Sequence, residues 1–390
     1  MSNEEFPQPG PDAVRHSTRV IAAIREAIEQ AGGWISFEDY MDLALYAPGL
    51  GYYAAGAHKL GEAGDFITAP EVSSLFGRVL ARQFGEVLEE LGGGDILELG
   101  AGSGRLAVDV LRDLEKLESL PDHYRILEVS PDLRERQQER IEQELPHLVK
   151  RVQWLDMPPR EHRGVIFGNE VLDALPVSRF RLDEGGIQEE GVSWKDERFT
   201  SVFRPADADY ASSLRAALED VEDPLPTPYT SEFSRRVPAL VATLADSLSA
   251  GLMLFIDYGY GRREYYLNER DMGTLMCHYR HRAHPDPFAW PGLQDITAYV
   301  DFTQVAEAGT EHGLELMAYT TQAQFLLAGG LEQLMMTDDI ESVDHMKRAQ
   351  EVQRLTLPGE MGDRFKVIGL SRGVDQVISG FGLRDLSGSL

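Results

Sequence analysis

Glu98-Leu99-Gly100-Ala101-Gly102-Ser103-Gly104 puts three glycines into five residues, at the end of the candidate strand 95–99. Directly behind it, Leu106, Val110, Leu111, Leu114 and Leu117 recur at helical spacing. The stretch reads as the turn from a buried strand into a helix, in which glycine lets the backbone approach a ligand closely. A dinucleotide fingerprint would place its last glycine at position 105, where this chain has Arg105. The spacing is G-x-G-x-G.

Working outward, further candidate strands span 124–129, 152–155, 165–167 and 252–257, alternating with helical stretches. That alternation predicts an α/β fold: a parallel sheet with crossover helices. Late apolar runs at 314–319 and 365–370 would close the same sheet and make the helices between them an insertion. Between the fourth and fifth strands, 177–203 alternates apolar and polar residues around Glu184-Gly185-Gly186, which predicts hairpins. Before the sheet, Val14, Ile21, Ile24 and Ile28 predict one helix stopped by Gly32-Gly33. Tyr40, Leu43 and Leu45 mark a second, beginning near Ser36. Thr68-Ala69-Pro70-Glu71 reads as a capping box opening a long helix over 70–91.

The chain has 390 residues, 43% hydrophobic and 26% charged, ordinary globular usage. Its net charge of −28 disfavours nucleic acid and anionic membranes as partners. The longest apolar stretch, Leu252 to Ile256, is far too short to span a bilayer. The single cysteine, Cys277, excludes an internal disulfide and a cysteine-based zinc cage. The first eleven residues are acidic and proline-rich, without a basic or apolar leader pattern. A reducing, cytoplasmic setting is the expectation.

S-adenosylmethionine suits the glycine loop chemically. It has no pyrophosphate but a zwitterionic methionyl end, which calls for amide donors for its carboxylate and a negative group for its ammonium. The amides around Gly100, Ala101, Gly102 and Gly104 provide the donors, and Glu98 supplies or organises the negative charge. Glu128, ending the second strand, is placed to accept ribose hydroxyls. Asp156 and Met157, after the third, are candidates for the adenine.

The sequence resembles the family of S-adenosylmethionine-dependent methyltransferases that includes the mitochondrial complex I assembly arginine methyltransferase and its bacterial relatives. The similarity runs from about 36 to 370. It covers Gly49-Leu50-Gly51-Tyr52-Tyr53, Gly64 to Glu71, Ser73 to Gly77, the glycine loop, Asn169-Glu170 with Asp173-Ala174-Leu175-Pro176, and Asp257-Tyr258-Gly259. It continues through Gly273-Thr274-Leu275, His281, Gly292, Asp295-Ile296-Thr297, Phe302, Met361-Gly362 and Phe365-Lys366. The resemblance implies a Rossmann-like class I methyltransferase sheet with a helical N-terminal segment and inserted hairpin and helical elements. The expected layout is a disordered start at 1–13, a helical segment and lid at 14–75, and a core at 76–320 carrying an insertion at 177–250. A helical insertion at 321–362 and a final strand and terminus at 363–390 complete it. The family match also makes Gly64 to Thr68 a lid over the cofactor.

In an open parallel sheet, ligands sit outside the carboxyl ends of the strands. Asn169, Glu170, Asp173 and Asp257 therefore fall beside the glycine loop. If the acceptor is an arginine on a protein, as in the mitochondrial member, its guanidinium needs planar carboxylates to orient it and take up the released proton. Glu170 and Asp173 are the candidates for that clamp, and Asn169 would face the cofactor. Helix capping would explain both carboxylates as well. His281 is expected to line the pocket; a metal on His278, His281 and His284 is not expected, for lack of a fixed helical face. A small-molecule methyltransferase and a cofactor-binding assembly factor without turnover remain as alternatives.

Overall fold

A computed structural model of the chain describes residues 7–55, 68–221, 223–336 and 343–390. The chain divides into two compact units. One comprises Ile67–Asp173, Val237–Tyr265 and Tyr299–Leu390; the other comprises Met1–Phe66, Ala174–Arg236 and Tyr266–Ala298.

The first unit is the α/β core. Its strands are β1 (Asp95–Leu99), β2 (Tyr124–Leu127), β3 (Val152–Leu155), β4 (His162–Asn169), β5 (Leu248–Tyr260), β6 (Glu315–Thr321) and β7 (Phe365–Arg372). They lie in the order β6-β7-β5-β4-β1-β2-β3, with Val300–Asp301 paired beside the end of β5. β7 runs antiparallel to both β5 and β6, and the remaining pairs along β5-β4-β1-β2-β3 are parallel. Ile96 and Leu97 are fully buried, as are Val165, Ile166 and Phe167, because helices cover both faces of such a sheet. From β1 the chain winds outward through β2 and β3, then returns to β4 on the other flank of β1. The pairing of Leu99 with Gly168 thus marks the switch point, where the loops after β1 and β4 open side by side.

The second unit holds the helices α1 (Pro11–Gln30) and α2 (Phe37–Tyr46) and two antiparallel sheets. The hairpin foreseen at Gly185-Gly186 joins Ser178–Asp183 to Gly186–Lys195. Ser36 caps α2, its hydroxyl accepting the Asp39 amide at 3.0 Å. The buried face of α1 is Val20, Ile24 and Ile28; Val14, expected on that face, is exposed. Leu117 is likewise exposed, since α5 (Arg105–Lys116) ends one residue before it.

The long helix expected over 70–91 is two helices. α3 (Ala69–Val72) stops at Ser73, whose extended backbone (φ −156°, ψ 138°) breaks the helical path, and Ser73 then caps α4 (Ser74–Leu91) by accepting the Leu75 amide. The capping box does not form. Thr68 occupies the N-cap position without a side-chain bond, and Glu71 turns instead to Ser103. Of the lid segment, Gly64 to Ile67 lie outside the described residues, as do the first six residues of the chain.

Candidate active site

The glycine loop leaves β1 with three left-handed residues, Gly100 (φ +59°), Gly102 (φ +53°) and Gly104 (φ +78°). A side chain at Gly104 would also press on Gln137, whose Cα lies 3.2 Å from the Cβ position. The Gly100 amide donates to Leu127 and the Gly104 amide to Ala101. Among the described residues, the intervening amides of Ala101, Gly102 and Ser103 have no acceptor. The loop therefore ends as a set of uncommitted donors at the start of α5.

Glu98 is 2% exposed, and its Oε2 accepts the Tyr124 hydroxyl at 2.7 Å. Burial pushes its carboxyl up to about 8, the Tyr124 bond opposes that and the charge of Glu128 adds to it. Glu128 follows β2 and is also buried, its Oε1 accepting the Ser130 amide and its Oε2 the side-chain amide of Gln137, both at 3.0 Å. Its pKa is raised by burial, against the pull of those two donors.

Gln137 was not anticipated from the sequence. It lies on α6 (Pro131–Glu144), is fully buried, and also donates to the Gly102 carbonyl at 3.0 Å while accepting the Trp154 indole at 2.9 Å. One side chain thus ties the glycine loop to Glu128 and to β3. Its trace in the sequence is the helical spacing Gln137-Ile141, the two buried residues of an otherwise polar helix. Arg134, on the same helix, donates to the Glu128 and Leu155 carbonyls and pairs with Asp156 at 2.6 Å. Asp156 and the neighbouring Met157 are both largely exposed.

After β4 the chain makes a turn rather than a helix. Asn169 ends the strand; its Nδ2 donates to Glu170 Oε1 at 3.2 Å, and its buried Oδ1 has no partner among the described residues. Glu170 holds a left-handed backbone (φ +55°), and the same Oε1 accepts the Ala69 amide at 3.3 Å. The amides of the turn at 171 to 173 go to a carboxylate on another strand. Asp257 takes them: its Oδ2 accepts Val171, Leu172 and Asp173 at 3.1, 2.8 and 3.2 Å. Asp257 lies within β5, which runs on to Tyr260, and is fully buried. Burial, then the charges of Asp173 and Glu170, push its pKa well up, while the Asp173 and Leu172 amides pull it down. Asp173 is 5% exposed and receives the hydroxyl of Tyr258, a pairing also missed in the sequence. The Tyr258 ring meets Tyr299 and Phe365 edge-on.

The core unit therefore gathers Glu98, the glycine loop, Glu128, Asn169, Glu170, Asp173 and Asp257 around the carboxyl ends of β1, β2, β4 and β5. His281 belongs to the other unit, at the tip of the hairpin Met276–Tyr279/Arg282–His284, with φ +61°.

Residues 79–320 match the family model described as "Putative S-adenosyl-L-methionine-dependent methyltransferase". A Burkholderia thailandensis protein solved with bound S-adenosyl-homocysteine superposes with a TM-score of 0.94 at 43% identity, over 99% of this chain and 100% of that one. Protein arginine methyltransferase NDUFAF7 homolog, mitochondrial, of Drosophila melanogaster is 29% identical over 375 residues, covering 88% of this chain and 82% of the fly protein. The human protein arginine methyltransferase NDUFAF7, mitochondrial, is 27% identical over 87% of this chain and 80% of its own length. These mitochondrial names overturn the cytoplasmic expectation. A lone cysteine and an acidic composition suit any reducing compartment and so select none. Among the described residues, no helix is long and apolar enough to cross a membrane. With most of the sheet and its glycine loop inside the matched region, the chain belongs to this family of S-adenosylmethionine-dependent methyltransferases.

Proposed function

We propose that the chain methylates a side-chain nitrogen of arginine on a protein substrate. The observation that carries the reading is the juxtaposition at the switch point of a donor-lined glycine loop with the carboxylates of Glu170 and Asp173, the latter two on a turn held by Asp257. The NDUFAF7 relatives, named as protein arginine methyltransferases, support the acceptor class.

The residues present fit the cofactor. The uncommitted amides of Ala101, Gly102 and Ser103, between Gly100 and Gly104, would hold its carboxylate, with Glu98 organising the loop. Glu128, already oriented by Ser130 and Gln137, would accept the ribose hydroxyls, and the unsatisfied Oδ1 of Asn169 would face the methionyl end. Asp156 and Met157 would border the adenine, and Thr68 would approach from α3. When bound, S-adenosylmethionine supplies a methyl group on a positively charged sulfur.

Glu170 and Asp173 would grip the guanidinium, align one nitrogen and take up the proton it releases. Asp257 positions that turn, and Tyr258 fixes the carboxylate of Asp173. His281 carries no part of this proposal. The test is transfer of labelled methyl from S-adenosylmethionine to lysate proteins, followed by acid hydrolysis. Labelled methylarginine is expected; label confined to another amino acid or to a small molecule would overturn the arginine assignment.

A further inference from the structure

The amino-acid end of S-adenosylmethionine and of its demethylated product carries both a carboxylate and an ammonium. A loop of amide donors satisfies the first and leaves the second without a counter-charge. Apart from Glu170, Asp173 and Asp257 at the neighbouring turn, three glutamates bear on the loop: Glu98 precedes it, Glu128 shares Gln137 with it, and Glu71 bonds Ser103. Glu98 is closed off against Tyr124 and, pushed up to about 8, is largely neutral at pH 7. Glu128 takes Ser130 and Gln137 on its two oxygens, and its remaining acceptor capacity belongs, in the proposed site, to the ribose hydroxyls. Glu71, on α3, reaches into the loop itself: its Oε1 accepts the hydroxyl of Ser103, the residue between Gly102 and Gly104. Its Oε2 has no hydrogen-bond partner among the described residues.

We infer that Glu71 is the counter-charge for the ammonium of the cofactor's amino-acid end, with Ser103 fixing one of its oxygens and leaving the other to the ligand. The same four-residue helix presents the Ala69 amide to Glu170 at 3.3 Å. Glu71 therefore sits on the element that links the glycine loop to the proposed acceptor carboxylates.

The inference rests on the family's cofactor and not on the arginine reading, so it is tested by binding alone. S-adenosylhomocysteine and 5′-methylthioadenosine, which lacks the amino-acid end, are titrated calorimetrically into wild type, Glu71→Gln and Ser103→Ala. Glu71→Gln keeps the shape of the side chain and removes its charge. It is expected to weaken S-adenosylhomocysteine about tenfold or more, the scale of a lost charge-assisted hydrogen bond, and to leave methylthioadenosine within about twofold. Ser103→Ala should show the same selectivity with a smaller loss. Unchanged S-adenosylhomocysteine affinity in Glu71→Gln overturns the assignment. Equal weakening of both nucleosides also overturns it, because that is the signature of a distorted loop. A failure of the arginine assignment would leave these titrations unaffected.

Discussion

The carboxylate of Asp257 accepts the backbone amide of Leu172 at 2.8 Å, across 85 residues of chain, and takes the amides of Val171 and Asp173 on the same oxygen. A turn that carries two proposed acceptor-binding carboxylates is thereby shaped by a third that is fully buried. Removing it strands three amides in a buried setting. Asp257→Ala is expected to destabilise the protein by about 3 kcal/mol, read by denaturant unfolding. An unfolding midpoint equal to wild type would mean that the turn holds itself.

Glu170→Gln and Asp173→Asn keep side-chain shape and remove charge. Both are expected to bind S-adenosylmethionine normally and to lose methyl transfer about a hundredfold, as when a general base or charge-stabilising group is deleted. Tyr258→Phe releases the Asp173 carboxylate and should fall between these variants and wild type, again in turnover rather than cofactor affinity. Equal transfer rates in all four proteins would leave the carboxylates as structural groups.

Gln137 bridges Gly102 and Glu128, so its loss should be felt at the cofactor rather than at the acceptor. Gln137→Ala and Glu128→Ala are each expected to weaken S-adenosylhomocysteine by about 1 to 3 kcal/mol in calorimetry. If Glu128→Ala binds like wild type, Glu128 is a strand-end residue without a ribose to hold.

Glu98 makes a pH prediction. Burial raises its carboxyl from 4.5 to about 8 in the folded protein. The folded state therefore keeps a proton that the unfolded chain gives up, and the group's contribution is fully present below about pH 4.5 and lost as pH rises through 8. Glu98→Gln imitates the protonated form at every pH. Its melting temperature should decline less than that of wild type between pH 5 and pH 8. Parallel melting curves across that range would place the ionisation elsewhere.

The strands and the glycine turn could be read directly from the sequence because each is a local consequence of composition. Strands covered on both faces are largely apolar, as Val165 to Phe167 of β4 and Ile96, Leu97 and Leu99 of β1 are; a turn with three positive-φ residues selects glycine. Glu98, Glu128, Asn169 and Glu170 were legible by position, since each lies at or next to the end of a strand of a sheet whose ligand edge is known from its topology.

What only the tertiary structure decided is which side chain serves which neighbour. Gln137 with Gly102, Glu71 with Ser103, Tyr258 with Asp173 and Asp257 with the 171–173 amides join residues 32 to 86 positions apart. The capping box at Thr68 failed for the same reason. A local motif offers a carboxylate one partner, while the fold brought Ser103 to Glu71 and Glu170 to the Ala69 amide. Hydrophobic periodicity records which face of an element is buried. It does not record which buried polar group will find which donor, because that depends on the packing of elements distant in the chain.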